Sequence, residues 1–157
     1  MMLLHGQFFI GLVVSLVNIS IHAVIMAMVS RAARWAADIA FDKNIARLVL
    51  VMMAAVTVLM AAHIIEIGVW ALAYTALDVA PHRAEAFYFA FVNYTTLGYG
   101  DMLPKEYWRV LGPMAAMNGI MLFGWSTAVI YDVLRTIAQV IPMRGRMRGT
   151  RRKRKTR

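Results

Sequence analysis

Long apolar runs separated by short charged intervals set the pattern of this chain. The first run, FFIGLVVSLVNISIHAVIMAMV, covers Phe8 to Val29; the second continues from Arg47 to Leu77; the third extends from Val110 to Ile141. Crossing the hydrocarbon of a bilayer takes about 20 helical residues, so each run predicts a transmembrane helix. The two longer ones are expected to tilt or to project beyond it. Pro81 to Thr96, PHRAEAFYFAFVNYTT, is different. Its apolar part is too short to span, and a glycine-rich stretch follows at once. That order predicts a re-entrant helix and loop, which the membrane tolerates only where protein or water surrounds it.

The predicted fold is therefore an all-α membrane protein with three transmembrane helices and one re-entrant helix with its loop. Residues 1–30 form the N-terminal span, 31–46 an amphipathic linker, 47–141 the unit built around the re-entrant segment, and 142–157 a basic tail. Composition agrees. At 61% hydrophobic and 16% charged, a 157-residue chain carries more apolar surface than one soluble core can hide. It has no cysteine, which excludes disulfides, thiol nucleophiles and Cys-based metal sites. No Ser/His/Asp set, metal cluster or phosphate loop stands out, and neither enzyme activity nor a cofactor is expected. The first apolar run lacks a basic segment before it and a small-residue cleavage site after it, so it is expected to be retained.

Charge adds direction. The formal charge is +9, and the stretch from Met143 to Arg157, MRGRMRGTRRKRKTR, accounts for all of it. Arg31, Arg34, Lys43 and Arg47 lie between the first two runs. The positive-inside rule puts both groups in the cytoplasm, leaving the N-terminus and the region from Pro81 to Tyr107 outside. Beside a membrane the tail's nearest partners are anionic headgroups rather than nucleic acid, at about 1 kcal/mol per basic residue.

The stretch NYTTLGYGD, Asn93 to Asp101, carries the candidate chemistry. A cation loses its hydration shell only where oxygens replace it, and a row of inward backbone carbonyls can do so. Such a row needs alternating backbone handedness, which Gly98 and Gly100 allow without a Cβ clash. A glycine-rich turn with no ion role is the competing reading.

Thr96-Leu97-Gly98-Tyr99-Gly100-Asp101 resembles the T-V/I-G-Y-G-D signature of the potassium channel pore family. The flanking order of span, aromatic re-entrant helix, signature, Pro104 and glycine-bearing span is similar from Arg47 to Ile141. The chain looks like a small prokaryotic-type channel subunit with an extra N-terminal helix. This resemblance implies a homotetramer, one filter per chain, in a cell membrane of the bacterial inner-membrane kind. It implies K⁺ coordination by the carbonyls of Thr96, Leu97, Gly98 and Tyr99 and the Thr96 hydroxyl, with Gly100 closing the filter. Gly119 and Gly124 fall where the family has a hinge on its inner helix, and close helix packing is the alternative for both. Residues expected to support the filter are Tyr88, Phe89, Val92, Asp101 and Glu66. Here the sequence departs from its relatives: Tyr88 and Phe89 replace a Trp pair, Val92 stands where some relatives have a carboxylate, and Leu97 is bulkier than valine. Tyr88 retains a donor for Asp101; Phe89 has none.

Outside the signature, His63, Glu66, Trp70 and Tyr74 recur at helical spacing and form one stripe. A carboxylate in a span costs about 2.5–3.5 kcal/mol on insertion scales and faces protein or water. Glu66 is expected to brace the re-entrant helix at Asn93 or Thr95, with His63 as partner; a proton-sensing role is the alternative. Asn18 and His22 are expected to form interhelical hydrogen bonds. The expected function is a K⁺-selective channel subunit. Alternatives are a non-conducting structural or regulatory subunit and a weakly selective cation channel.

Overall fold

The computed structural model describes residues 2–38, 45–80 and 85–140. They form four helices, α1 (Met2–Asp38), α2 (Ile45–Ala76), α3 (Ala86–Tyr94) and α4 (Leu111–Val140), with a 3₁₀ turn at Glu106–Trp108 before α4. There is no strand among the described residues. Three helical stretches, His5–Ala37, Ile45–Ala76 and Glu106–Ala138, are long and apolar enough to cross a membrane. The nine residues of α3 reach only about 13 Å at ~1.5 Å per residue, well short of a crossing.

The helix α1 is longer than its apolar run. It carries on through residues 31–38, because RAARWAAD is Ala-rich and free of glycine and proline, and nothing in it breaks a helix. The first part of the linker read from sequence is thus a continuation of α1. Residues 39–44 and the basic tail from 141 onward lie outside the described residues, as do Pro81 to Ala84.

α1 and α4 lie side by side and run in the same direction. The Gln7 side chain accepts from the Val110 backbone N–H at 3.4 Å, Asn18 meets Asn118 at 3.1 Å, and His22 meets Ser126 at 3.4 Å. The offset along the two chains scarcely changes, which is what two parallel helices of equal rise produce. Close approach is made possible at Gly11, where an added Cβ would lie 2.3 Å from Met114 Sδ. α2 runs the other way. At its start the Arg47 guanidinium donates to the Ala36 carbonyl at 3.1 Å, closing the α1–α2 hairpin. The N-terminus of α1 therefore lies on the same side as the loops around α3.

Two apolar clusters hold the bundle together. One joins Ile67, Trp70, Tyr74, Phe89, Ala90, Tyr94, Leu111 and Ala115 around α3. The other joins Met26, Val29, Leu59, Val129, Val133 and Ile137 at the opposite end. Between them lies a buried polar layer of Asn18, His22, Glu66, Asn118 and Ser126. At the loop end, Lys105 pairs with Asp78 and its N–H donates to the Val79 carbonyl at 3.1 Å. This ties the segment after the glycine-rich loop to the top of α2.

Candidate functional site

α3 ends in a defined stop. The Thr96 N–H donates to the Asn93 carbonyl at 3.0 Å and the Leu97 N–H to the Val92 carbonyl, also at 3.0 Å. These paired bonds make a Schellman motif, whose left-handed position is usually glycine. Here Thr96 fills it with φ 60°, a conformation costing a β-branched residue of order 1–3 kcal/mol. Gly98 follows with φ 58° and Gly100 with φ 77°. Leu97 and Tyr99 between them are not left-handed. Handedness alternates over five residues. Alternation of this kind turns successive N–H groups to one side of the chain, leaving the carbonyls for the other.

The loop stands clear of its own chain. Residues 96–100 are all exposed, with Tyr99 at 69% and Leu97 at 51%. Tyr88 Oη donates to Asp101 Oδ2 at 2.7 Å, spanning the loop from α3 to its outer end. This bond, ahead of burial and the charge of Asp101, holds the Tyr88 phenol above its ordinary pKa. Phe89 and Val92, grouped with Tyr88 by sequence position, turn the other way and are buried behind α3. The Phe89 ring packs on Tyr74 at a centroid distance of 5.4 Å.

Behind α3, Glu66 is fully buried. Its Oε1 meets His22 Nδ1 at 2.8 Å, and its Oε2 meets His63 Nδ1 at 3.0 Å. Oε2 also accepts from Tyr94 Oη at 2.5 Å. Glu66 thus grips the last residue of α3 by a side chain that sequence reading did not select. Asn93 instead donates to Tyr74 Oη at 3.4 Å, and the Thr95 hydroxyl donates back to the Phe91 carbonyl at 2.8 Å. The His63 partner stands as read, and α1 adds His22. Ser126 on α4 lies 3.0 Å from His63 Nε2. Asn118 Oδ1 accepts from Trp70 Nε1 and from Asn18 Nδ2, each at 3.1 Å. A buried charge is tolerated when paired and hydrogen-bonded, and Glu66 is both.

Tyr94→Phe should separate these effects. It keeps the ring in its apolar place and removes one donor from a buried carboxylate, a loss of about 1–3 kcal/mol. Unfolding measured in mixed micelles checks this, and unchanged stability would mean that Glu66 does not hold α3 through Tyr94.

The remaining candidates differ in setting. An added Cβ on Gly119 would lie 2.0 Å from the Tyr94 carbonyl oxygen, whereas one on Gly124 would meet nothing within 4 Å. Among the described residues, His22, His63 and Glu66 are the set that could ligate a metal, their donor atoms lying within 4.8 Å of one another. A cation there would have to displace the hydrogen bonds just described.

Three span-length helices, a short re-entrant helix and a glycine-rich loop at its end define a multi-pass membrane protein of the pore-loop class. Residues 62–136 match a family model described as an ion channel, a stretch running from the middle of α2 through α3 and the loop into α4. That stretch is similar to the ion channel family, and the match points to a channel rather than an enzyme. α1 lies outside the matched residues. No curated protein and no solved structure matches the chain.

Proposed function

We propose that the protein is a subunit of a K⁺-selective channel, four copies surrounding one conduction path. The observation that carries this reading is the alternation of left-handed positions at Thr96, Gly98 and Gly100, falling within TLGYG at the end of α3. Carbonyls of Thr96, Leu97, Gly98 and Tyr99, with the Thr96 hydroxyl, replace the hydration shell of a K⁺ ion. The C-terminal end of α3 carries partial negative charge and favours a cation below the filter. One chain supplies one filter segment, so a closed ring of oxygens requires several chains in cyclic symmetry. Exposed Phe87, Phe91, Leu97 and Tyr99 are the surface such neighbours would cover. Arg31, Arg34, Arg47 and the basic tail put the inner end of the bundle in the cytoplasm of a cell, where the tail meets anionic lipid.

A second reading has one observation in its favour. Buried Phe89 offers the loop no hydrogen bond, so on the α3 side Asp101 has Tyr88 alone, and a looser filter discriminates less. Flux into vesicles bearing purified protein decides. Thallium and K⁺ should enter faster than Na⁺; equal rates would establish a weakly selective cation pore. An assembled protein passing no cation would make it a structural subunit.

A further inference from the structure

Side chains from all four helices meet in the buried polar layer, and four of them close a ring. Glu66 Oε1 faces His22 Nδ1 at 2.8 Å, and Glu66 Oε2 faces His63 Nδ1 at 3.0 Å. On the far side both imidazoles turn Nε2 toward Ser126 Oγ, at 3.4 Å from His22 and 3.0 Å from His63. Tyr94 Oη joins from α3, 2.5 Å from Oε2 and 3.1 Å from His63 Nδ1. The two histidines thus present the same nitrogen, Nδ1, to one carboxylate and the opposite nitrogen to one hydroxyl. A histidine that holds a metal through one nitrogen hydrogen-bonds through the other, which fixes its tautomer and its aim. A serine oxygen has two lone pairs. Ser126 can therefore accept from both Nε2–H groups at once, which leaves both Nδ1 lone pairs directed at Glu66.

We propose that His22, His63 and Glu66 form a binding site for a divalent transition-metal cation of the Zn²⁺ type, with Ser126 and Tyr94 as its supports. Imidazole nitrogen and carboxylate oxygen both bind zinc at about 2.0–2.2 Å. Held at that reach, a nitrogen and an oxygen stand about 3.0 Å apart at a right angle and about 3.4 Å apart at the tetrahedral angle. The two facing pairs, at 2.8 Å and 3.0 Å, already lie near the lower figure. All three donors fall within 4.8 Å of one another, so closing on a common ion moves any one side chain by about 1 Å at most.

The ion takes the place of the hydrogens in the two links between Glu66 and the histidines. It leaves the Ser126 links standing. Tyr94 gives its one hydrogen to Oε2, so its approach to His63 Nδ1 takes no lone pair from the ion, and the carboxylate stays anchored. Burial favours the pairing as well. Glu66 and His22 are fully buried, and a charge is kept in such a place when it is paired or coordinates a metal. The His63 side chain, 12% exposed, marks the entry path that a metal site needs. An ion held here would fasten α1 to α2 and, through Tyr94, to the last residue of α3, two residues before Thr96. The opposing assignment is a hydrogen-bonded cluster that holds no metal.

The test is metal loading of the full chain in mixed micelles, stripped with chelator, loaded with Zn²⁺ and freed of excess by gel filtration. About one zinc per chain should remain, and Co²⁺ in its place should show visible d–d bands. Zn²⁺ should also raise the melting temperature, since it binds the native state. His22→Gln removes one ligand and leaves His5 and His82 to report adventitious binding; it should keep about a tenth of the zinc or less. Ser126→Ala touches neither Nδ1, yet should weaken zinc affinity about 10–100-fold and alter the Co²⁺ bands. Equal zinc in the wild type and His22→Gln, or wild-type melting that Zn²⁺ leaves unchanged, assigns the cluster to hydrogen bonding alone and overturns the proposal. If His22→Gln does not fold, Ser126→Ala decides, and wild-type zinc affinity in that variant overturns the proposal equally. No ion flux enters the readout, so its outcome is independent of what the filter conducts.

Discussion

Gly119→Ala is expected to undo the seat of α3 on α4. An added Cβ would lie 2.0 Å from the Tyr94 carbonyl oxygen and 3.0 Å from its carbonyl carbon. Both are backbone atoms at the end of a helix, so neither can turn aside as a side chain would. Relief requires the helices to part by roughly 1 Å or more to regain ordinary contact distance. Overpacking of a tight interior costs about 1–3 kcal/mol and occasionally more. The upper end is expected here, because the same displacement draws Tyr94 Oη away from Glu66. Unfolding in mixed micelles measures the loss. Gly124→Ala is the control, since its site is open and alanine favours a helix by up to about 1 kcal/mol. Equal stability of Gly119→Ala and the unmodified protein, with only opening altered, would restore the hinge reading of Gly119.

Conduction should be lost altogether in Gly98→Ala. With φ at 58°, the position asks a Cβ-bearing residue to adopt a left-handed conformation costing about 1–2 kcal/mol. The chain avoids that cost by leaving the alternating pattern, and in the four-fold filter proposed above every copy would do so at once. Thr96 shows what is needed to retain such a conformation without glycine: the two hydrogen bonds that end α3 hold it in place. Since Gly98 lies on the exposed loop and belongs to neither apolar cluster, the bundle itself should fold normally. Thallium flux and an unfolding curve on the same preparation test both halves. Flux at the unmodified level would show that the carbonyl row does not depend on Gly98, and would count against the proposed filter.

Much of this architecture is legible in the residue pattern, and the illegible part has physical causes. Apolar runs of span length leave a helix no other solvent, so α2 and α4 begin and end within a few residues of their predicted limits. His63 and Glu66 are three apart on one helix, so their contact follows from helical geometry alone. The choice of Tyr94 over Asn93 or Thr95 does not. Successive residues on a helix point about 100° apart, and α3 is apolar on every side, with Phe87 and Phe91 exposed while Phe89 and Ala90 are buried. Such a sequence does not say how the helix is rotated. Nor could the ring be read. Ser126 and His22 are 104 residues apart, and they meet because α1 lies along α4, an arrangement set by small residues such as Gly11 rather than by any motif. In α1, a polar residue at helical spacing promised a partner without naming it.

The order of the ring's members along the chain bears on how the protein is made. A ribosome delivers His22 first, then His63 and Glu66 three residues apart, then Tyr94, and Ser126 last. When the carboxylate of Glu66 enters the membrane, both imidazoles that can receive it have already been synthesised, and the α1–α2 hairpin alone can shelter it. An order beginning at α2 would leave Glu66 with only His63 while the rest of the chain emerged. The N-terminal helix is thus placed, by chain order and by the His22 contact, to escort a costly side chain during insertion. Its removal should be felt in the yield of inserted protein before any current is recorded.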